Sequence, residues 1–155
     1  MKQYRLTKEG YNMLIRELQD LVKNKRKEVA ERLKDAKNYG GDLSENSEYE
    51  FAKNEQAFVE GRIEQINEIL ANHEIVENKG HTSRVKIGST VVLKDLDLGK
   101  QKKYMVVSSI ESDPEKNKIS DESPIGKSLL EKKVGDEVLA KTPQEKKRFK
   151  ILEIK

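Results

Sequence analysis

The stretch Gly40-Gly41-Asp42-Leu43-Ser44-Glu45-Asn46-Ser47-Glu48-Tyr49 lies between two long, charge-rich segments with helical periodicity, and its reading decides the fold. Two consecutive glycines reach φ > 0 without steric cost and let the chain reverse. Before them Tyr11, Leu14, Leu18 and Leu21 form a coiled-coil stripe. The basic run Lys23-Asn24-Lys25-Arg26-Lys27 interrupts it, and it resumes at Val29, Leu33 and Ala36. Thr7 has the chemistry of an N-cap, so a first helix is expected from Thr7 to about Asn38, with Gly10 a mild local cost in its first turn. After the glycines Tyr49, Ala52, Gln56, Val59, Ile63, Ile66 and Leu70 keep the rhythm and predict a second helix ending near His73 to Val76. So short a connection leaves no room for a parallel crossover, and the helices are expected to run antiparallel. Ala52 and Gln56, small and polar, predict looser packing near the turn than at the far end.

Composition bounds the rest. With 34% apolar, 5% aromatic and 38% charged residues in 155, one large globular core is not expected; a charged helical rod beside a modest compact domain is. No apolar run approaches membrane-spanning length and residues 1–10 lack a signal-peptide core, so a soluble cytosolic protein with no membrane partner is expected. The absence of cysteine excludes disulfides, thiolate metal sites and cysteine catalysis. Charge is unevenly distributed: eleven Lys/Arg against six Asp/Glu in residues 1–41, two against ten in 42–77, and eighteen against twelve in 78–155. The first two segments therefore attract each other side by side, and the basic third suits an acidic partner.

Beyond the polar linker Glu77-Asn78-Lys79-Gly80-His81-Thr82-Ser83 the period changes to short β-rich runs at 84–87, 90–93, 103–110, 118–119, 137–141 and 148–154. Ser123 and Pro124 open a short helix ending near Leu130. The expected class is α+β in two domains: 1–77, an antiparallel coiled-coil hairpin with an acidic tip, and 78–155, a small antiparallel sheet with one short helix.

Asp42 and Glu45 have the spacing of a capping box, and the same spacing places both carboxylates on one helical face. A carboxylate has more lone pairs than one N–H uses, so capping and ligation can coexist. Carboxylate oxygens suit octahedral Mg²⁺, but two of them at a helix start hold it weakly. Such a pair is half a site, to be completed by a partner's carboxylates and a phosphate.

These residues carry a family resemblance. Gly41 to Tyr49 resembles the tip signature of the bacterial Gre transcript-cleavage (transcription elongation) factors. Ala52-Lys53-Asn54-Glu55-Gln56-Ala57-Phe58-Val59-Glu60-Gly61-Arg62-Ile63 is similar to the segment that follows it. Ser123-Pro124-Ile125-Gly126-Lys127-Ser128-Leu129-Leu130 with Lys133-Val134-Gly135-Asp136 is similar to the family's C-terminal pattern, and the match runs in order from Leu6-Thr7-Lys8-Glu9-Gly10. The resemblance implies an N-terminal antiparallel coiled coil and an FKBP-like C-terminal domain docking on RNA polymerase at the rim of its secondary channel, with Ser123, Pro124 and Ile125 in the part that meets it. The coiled coil would enter the channel, where Asp42 and Glu45 help hold the second, weakly bound Mg²⁺ and position the attacking water. The polymerase then hydrolyses its own backtracked RNA. Lys53, with Lys37 across the hairpin, would contact the 3′ part of the extruded RNA. On this implication the chain is an accessory factor rather than an enzyme, acts as a monomer, and has no cofactor of its own beyond the Mg²⁺ of the polymerase active site. Two positions depart from the pattern: Gly40 precedes Gly41 where one glycine is usual, and Glu131 stands where glycine is common, which is expected to alter a turn.

Plainer readings stand beside these. Lys37 and Lys53 fit a solvated helix surface, Ser123 and Pro124 a helix start, Tyr49 a core position and Gln56 a tolerated polar seam residue. His73 and His81 lack partners at metal-ligand spacing. A channel-binding inhibitor of the same fold is an alternative, against which the Asp-x-x-Glu-Asn spacing argues. A peptidyl-prolyl isomerase needs an aromatic pocket, and residues 78–155 hold only Tyr104 and Phe149. A non-catalytic coiled-coil adaptor predicts that neutralising the tip acids changes nothing.

Overall fold

The computed structural model describes residues 3–38, 47–77 and 83–155. Asp42 and Glu45, with the two glycines before them, lie outside the described residues, as do His81 and most of the expected linker. The elements run β1 (Tyr4–Leu6), α1 (Lys8–Asp20), a π turn (Leu21–Lys25), α2 (Arg26–Asn38), α3 (Ser47–Ala71), β2 (His73–Ile75), β3 (Thr90–Asp95), β4 (Gln101–Val107), β5 (Lys118–Ser120), α4 (Pro124–Leu129), β6 (Glu137–Lys141) and β7 (Lys146–Ile154). They form two compact units, a helical one of Tyr11–His73 and a sheet unit of Tyr4–Gly10 with Glu74–Lys155. No helix among the described residues is long and apolar enough to cross a membrane.

The helical unit follows its apolar stripe, with one local adjustment. Eight residues separate Leu21 from Val29, where the heptad rhythm asks for seven. On an ideal helix one extra residue turns the apolar face by about 100°. The π turn at Leu21–Lys25 absorbs it, because a wider i→i+5 turn takes up the additional residue without ending the helix. Leu14 and Leu21 before the turn, and Val29, Leu33 and Ala36 after it, are accordingly all buried. The facing seam is Ala52, Val59, Ile63 and Ile66; at the last turn of α3 burial moves to Ile69, and Leu70 is half-buried. The helices run antiparallel. As the number falls from Arg32 to Arg26 to Glu17 along the first arm, its ion partner on α3 climbs from Glu55 to Glu60 to Arg62.

The sheet unit begins with a cap. Thr7 Oγ1 accepts the Gly10 N–H at 3.0 Å, as the sequence predicts. The Thr7 N–H and hydroxyl in turn donate to the two carboxylate oxygens of Glu111, at 2.8 and 2.6 Å. A side chain at position 10 would run into that carboxylate, which is why glycine is retained in the first turn of a helix. β1 and β2 form a two-stranded sheet absent from the sequence reading, which ran the second helix to its end there. Three-residue strands have no pattern of their own and exist through pairing.

The main sheet has the order β5-β4-β3-β7-β6. It is antiparallel at β3–β4, β3–β7 and β6–β7, and parallel at β4–β5, where two short 3₁₀ turns and a left-handed Asn117 (φ 56°) bring the chain back in the same direction. Its inner face buries Val91, Leu93, Val106, Phe149 and Ile151, with Leu129 of α4 packed on them. The expected strand at 84–87 is not formed, although Val85 and Ile87 are buried in the alternation that suggested it. Val85 bonds only the segment at 131–132, accepting from the Glu131 N–H and donating to the Lys132 carbonyl, and no ladder can grow from there.

The reason is Glu131 itself, held at φ 64°, a left-handed conformation that suits glycine. Glu131→Gly is expected to raise the thermal midpoint by a few degrees. Relief of roughly 1–2 kcal/mol of steric cost exceeds the about 0.5–1 kcal/mol that glycine loses in entropy. An unchanged or lower midpoint in thermal unfolding would contradict this.

Asp95 is 2% exposed. Its carboxylate accepts the Leu98 and Asp97 N–H groups at 3.0 and 2.9 Å, and Lys102 Nζ lies 3.9 Å away. These bonds, the one from Leu98 foremost, with the charges of Lys102 and Lys147, hold its pKa below the usual carboxylate value. A depressed folded pKa means stability present above the unfolded value of about 4 and lost as pH falls through the folded one. Asp95→Asn is therefore expected to lower stability at neutral pH and to flatten the decline below about pH 4. Denaturant melts of wild type and variant between neutral and acid pH measure both.

Candidate functional site

The end of the hairpin where α2 stops and α3 begins carries the densest set of sequence-predicted functional residues. Leading to it, the facing arms neutralise each other. Arg62 forms a two-pronged pair with Glu17, Nε and Nη2 donating at 2.7 and 2.8 Å, and its pKa is raised chiefly by that hydrogen bond. Arg26 does the same to Glu60 at 2.9 and 2.8 Å, raising the guanidinium pKa and lowering that of the carboxyl. Arg32 pairs with Glu55.

The pattern changes at the final turns. Lys37, in the last turn of α2, and Lys53, two turns into α3, each place their ammonium 6.0 Å from the centroid of the Tyr49 ring. The structure thus brings together the two lysines that the sequence offered separately. It gives Tyr49, read as plain core and in fact half-buried, a second task. Both lysines are exposed, and among the described residues neither ammonium has a carboxylate within ion-pair distance. Tyr49 stands four residues before Lys53, a spacing that puts them on one face; that was the available signal, and only the fold supplies Lys37. Beside this cluster Arg32, Asp35, Ala36, Ser47, Glu48, Phe51 and Ala52 line an open groove of about 580 Å³. Asp42 and Glu45 belong to the connection between α2 and α3, outside the described residues. Among the described residues no three His, Cys, Asp or Glu side chains gather to form a metal site.

The second candidate region is the start of α4. Ser123 is its N-cap: Oγ accepts the Gly126 N–H at 3.1 Å and donates to the Ser120 carbonyl at 2.6 Å. Pro124 occupies the first turn, where a missing N–H costs nothing. Ile125 packs partly against the core. Of the three predicted docking residues, Pro124 alone lines a groove, with Glu122, Lys127, Ser128, Leu139 and Lys141. Leu139, 44% exposed, and the two lysines went unremarked in the sequence because β6 reaches α4 only in the fold. Of the aromatics in this unit, Phe149 is fully buried and Tyr104 packs against the core.

Comparisons with known proteins agree over the length of the chain. A family model described as "Transcription elongation factor, N-terminal" matches residues 4–75, and one described as "Transcription elongation factor, GreA/GreB, C-term" matches residues 80–155. The chain is 47% identical over 154 residues to the transcription elongation factor GreA of Thermotoga petrophila, covering 99% of this chain and 98% of that protein. Identity is also 47% over 155 residues, with the same coverage, to GreA of Bacillus cereus strain ZK / E33L. Among solved structures it is similar to GreA factor homolog 1 of Thermus thermophilus, 33% identical over 99% of both chains with a TM-score of 0.45.

The close fit under α4 makes a test of that region. A Cβ on Gly126 would collide with the Ser120 carbonyl and lie 3.0 Å from Ser123 Oγ. Gly126→Ala is expected to destabilise the sheet unit by about 1–3 kcal/mol, the cost of overpacking. A thermal melt would register several degrees per kcal/mol in a unit of this size.

Proposed function

Because this chain belongs to the GreA/GreB family of transcription elongation factors, it is itself a transcription elongation factor with RNA polymerase as its partner, and we propose that it rescues backtracked complexes by stimulating the polymerase's own RNA cleavage. The observation that carries this reading is the acid pair Asp42 and Glu45 at the turn between two long antiparallel helices, inside a segment matched by the family from end to end.

A cleavage site buried in a polymerase must be reached through its secondary channel. A helical hairpin is suited to that, since α3 alone has 25 residues, about 37 Å at 1.5 Å per residue. Paired charges between the arms let the hairpin keep its alignment without a wide apolar core. Asp42 and Glu45 then present carboxylate oxygens beside the scissile phosphodiester, orient the attacking water and accept its proton. These oxygens fit Mg²⁺, which binds through one or two carboxylates together with phosphates. The bound Mg²⁺ belongs to the polymerase active site and supplies charge neutralisation at the phosphate and a lowered pKa for water. The chain is an accessory factor and acts as a monomer. Meanwhile the region around Ser123, Pro124 and Ile125, with its groove toward Leu139, docks on the polymerase at the channel rim.

Asp42→Asn and Glu45→Gln are expected to reduce stimulated cleavage in backtracked elongation complexes by roughly 10²-fold or more, the scale of deleting a group that stabilises developing charge. Binding to polymerase should stay near wild type. Replacing Pro124 should weaken binding first. Tip variants that cleave like the wild type would sink the mechanism, and nuclease activity of the protein alone would sink the division of labour.

A further inference from the structure

The convergence of Lys37 and Lys53 on one ring calls for an explanation that helix surfaces do not supply. Elsewhere along the hairpin the cross-arm cations Arg26, Arg32 and Arg62 each meet a carboxylate. Here two ammonium groups are brought to the same aromatic side chain, each 6.0 Å from its centroid, with no anion within ion-pair distance among the described residues. Lys37 sits at the carbonyl end of α2, which favours a cation. Lys53 has no such reason, and like charges held close repel. The ring face offsets part of that repulsion and fixes where each ammonium can be.

We propose that Tyr49 is a positioning residue for RNA: its ring holds Lys37 and Lys53 as a two-point clamp for backbone phosphates of the single strand extruded from a backtracked polymerase. The inference rests on the cleavage-factor reading above and adds to it a residue and a ligand chemistry. Two ammonium groups beside an aromatic ring are the elements by which proteins hold single-stranded nucleic acid without regard to sequence, cations on phosphates and ring on base. An acidic protein surface would use the cations alone and leave the ring without a role. The clamp lies in the last turn of one arm and the second turn of the other, so a strand held there runs past Asp42 and Glu45.

The test uses backtracked elongation complexes with a photoreactive nucleotide at the RNA 3′ end, and the full-length protein as wild type, Tyr49→Phe, Tyr49→Leu and the Lys37→Gln/Lys53→Gln pair. Three readouts are taken: the half-saturating factor concentration for cleavage, its dependence on salt, and crosslinking to RNA. Tyr49→Phe keeps the ring and is expected to match wild type. Tyr49→Leu keeps apolar packing but loses the π face; it should raise the half-saturating concentration severalfold, weaken the crosslink and reduce the slope against log salt by about one. The double lysine variant leaves the seam untouched. It should show the same loss of slope whether or not Tyr49→Leu perturbs the helix, which circular dichroism reports. Wild-type slope and crosslinking in both Tyr49→Leu and the lysine pair would overturn the clamp. An equal loss of affinity for polymerase carrying no extruded RNA would also overturn it and point to an acidic protein surface. If the wild type itself stimulates no cleavage, the cleavage-factor reading has failed; if it does and the variants match it, only the clamp has.

Discussion

The helical unit holds its alignment through guanidinium groups on one arm or the other clasped by carboxylates across the seam: Arg62 on Glu17, Arg26 on Glu60, Arg32 on Glu55. Exposed ion pairs add little to stability singly. Their importance here is in register, since a two-pronged guanidinium–carboxylate contact accepts few alternatives. A hairpin with Ala52 and half-buried Gln56 in its seam has little apolar bulk with which to resist sliding. The basic character of the first arm and the acidic character of the second supply what the seam lacks. The same economy of apolar surface keeps the hairpin slender, and a slender hairpin can enter a channel.

The sheet unit solves a different problem. Its core is conventional, an inner face of Val, Leu, Ile and Phe covered by α4, but its corners are crowded. Ser123 caps α4 with one oxygen while donating to the Ser120 carbonyl, and Gly126 is small because that same carbonyl presses on it. Asp95 ties down the β3–β4 turn with a buried carboxylate. Glu111 reaches the backbone and hydroxyl of Thr7. These side chains make hydrogen bonds that the local backbone cannot make for itself. They fix loops that would otherwise have several conformations, including the one that presents Pro124.

At the hairpin end the two halves of the proposed chemistry have different requirements. Carboxylates that assist a metal held by another molecule must project beyond their own chain. Cations that hold a flexible RNA strand must instead be fixed before the strand arrives, or their immobilisation subtracts from binding. Tyr49 meets the second need within two helical turns of the first. It does so while half-buried at the start of the seam, so a ring that looks like ordinary core also carries the clamp.

Much of this was legible in the residues alone. The heptad stripe, the glycine pair and the opposite charges of the two arms led to an antiparallel hairpin. Thr7 and Ser123 announced caps that the structure contains, and alternation located most of the strands. What could not be read had in each case a non-local cause. The π turn answers a count of eight residues whose resolution depends on burying Val29, Leu33 and Ala36 against a facing helix. β1, β2 and the parallel β4–β5 pairing are set by partners far away in sequence. The missing strand at 84–87 fails because of the backbone at Glu131. Composition, periodicity and the tip signature by themselves determined the class of fold, the placement of the acid pair and the kind of partner, because those depend on side-chain chemistry at short spacing. Only the tertiary structure decided that Lys37 and Lys53 meet at Tyr49, and that β6 lends Leu139 and Lys141 to the start of α4, because each joins residues that no local rule brings together.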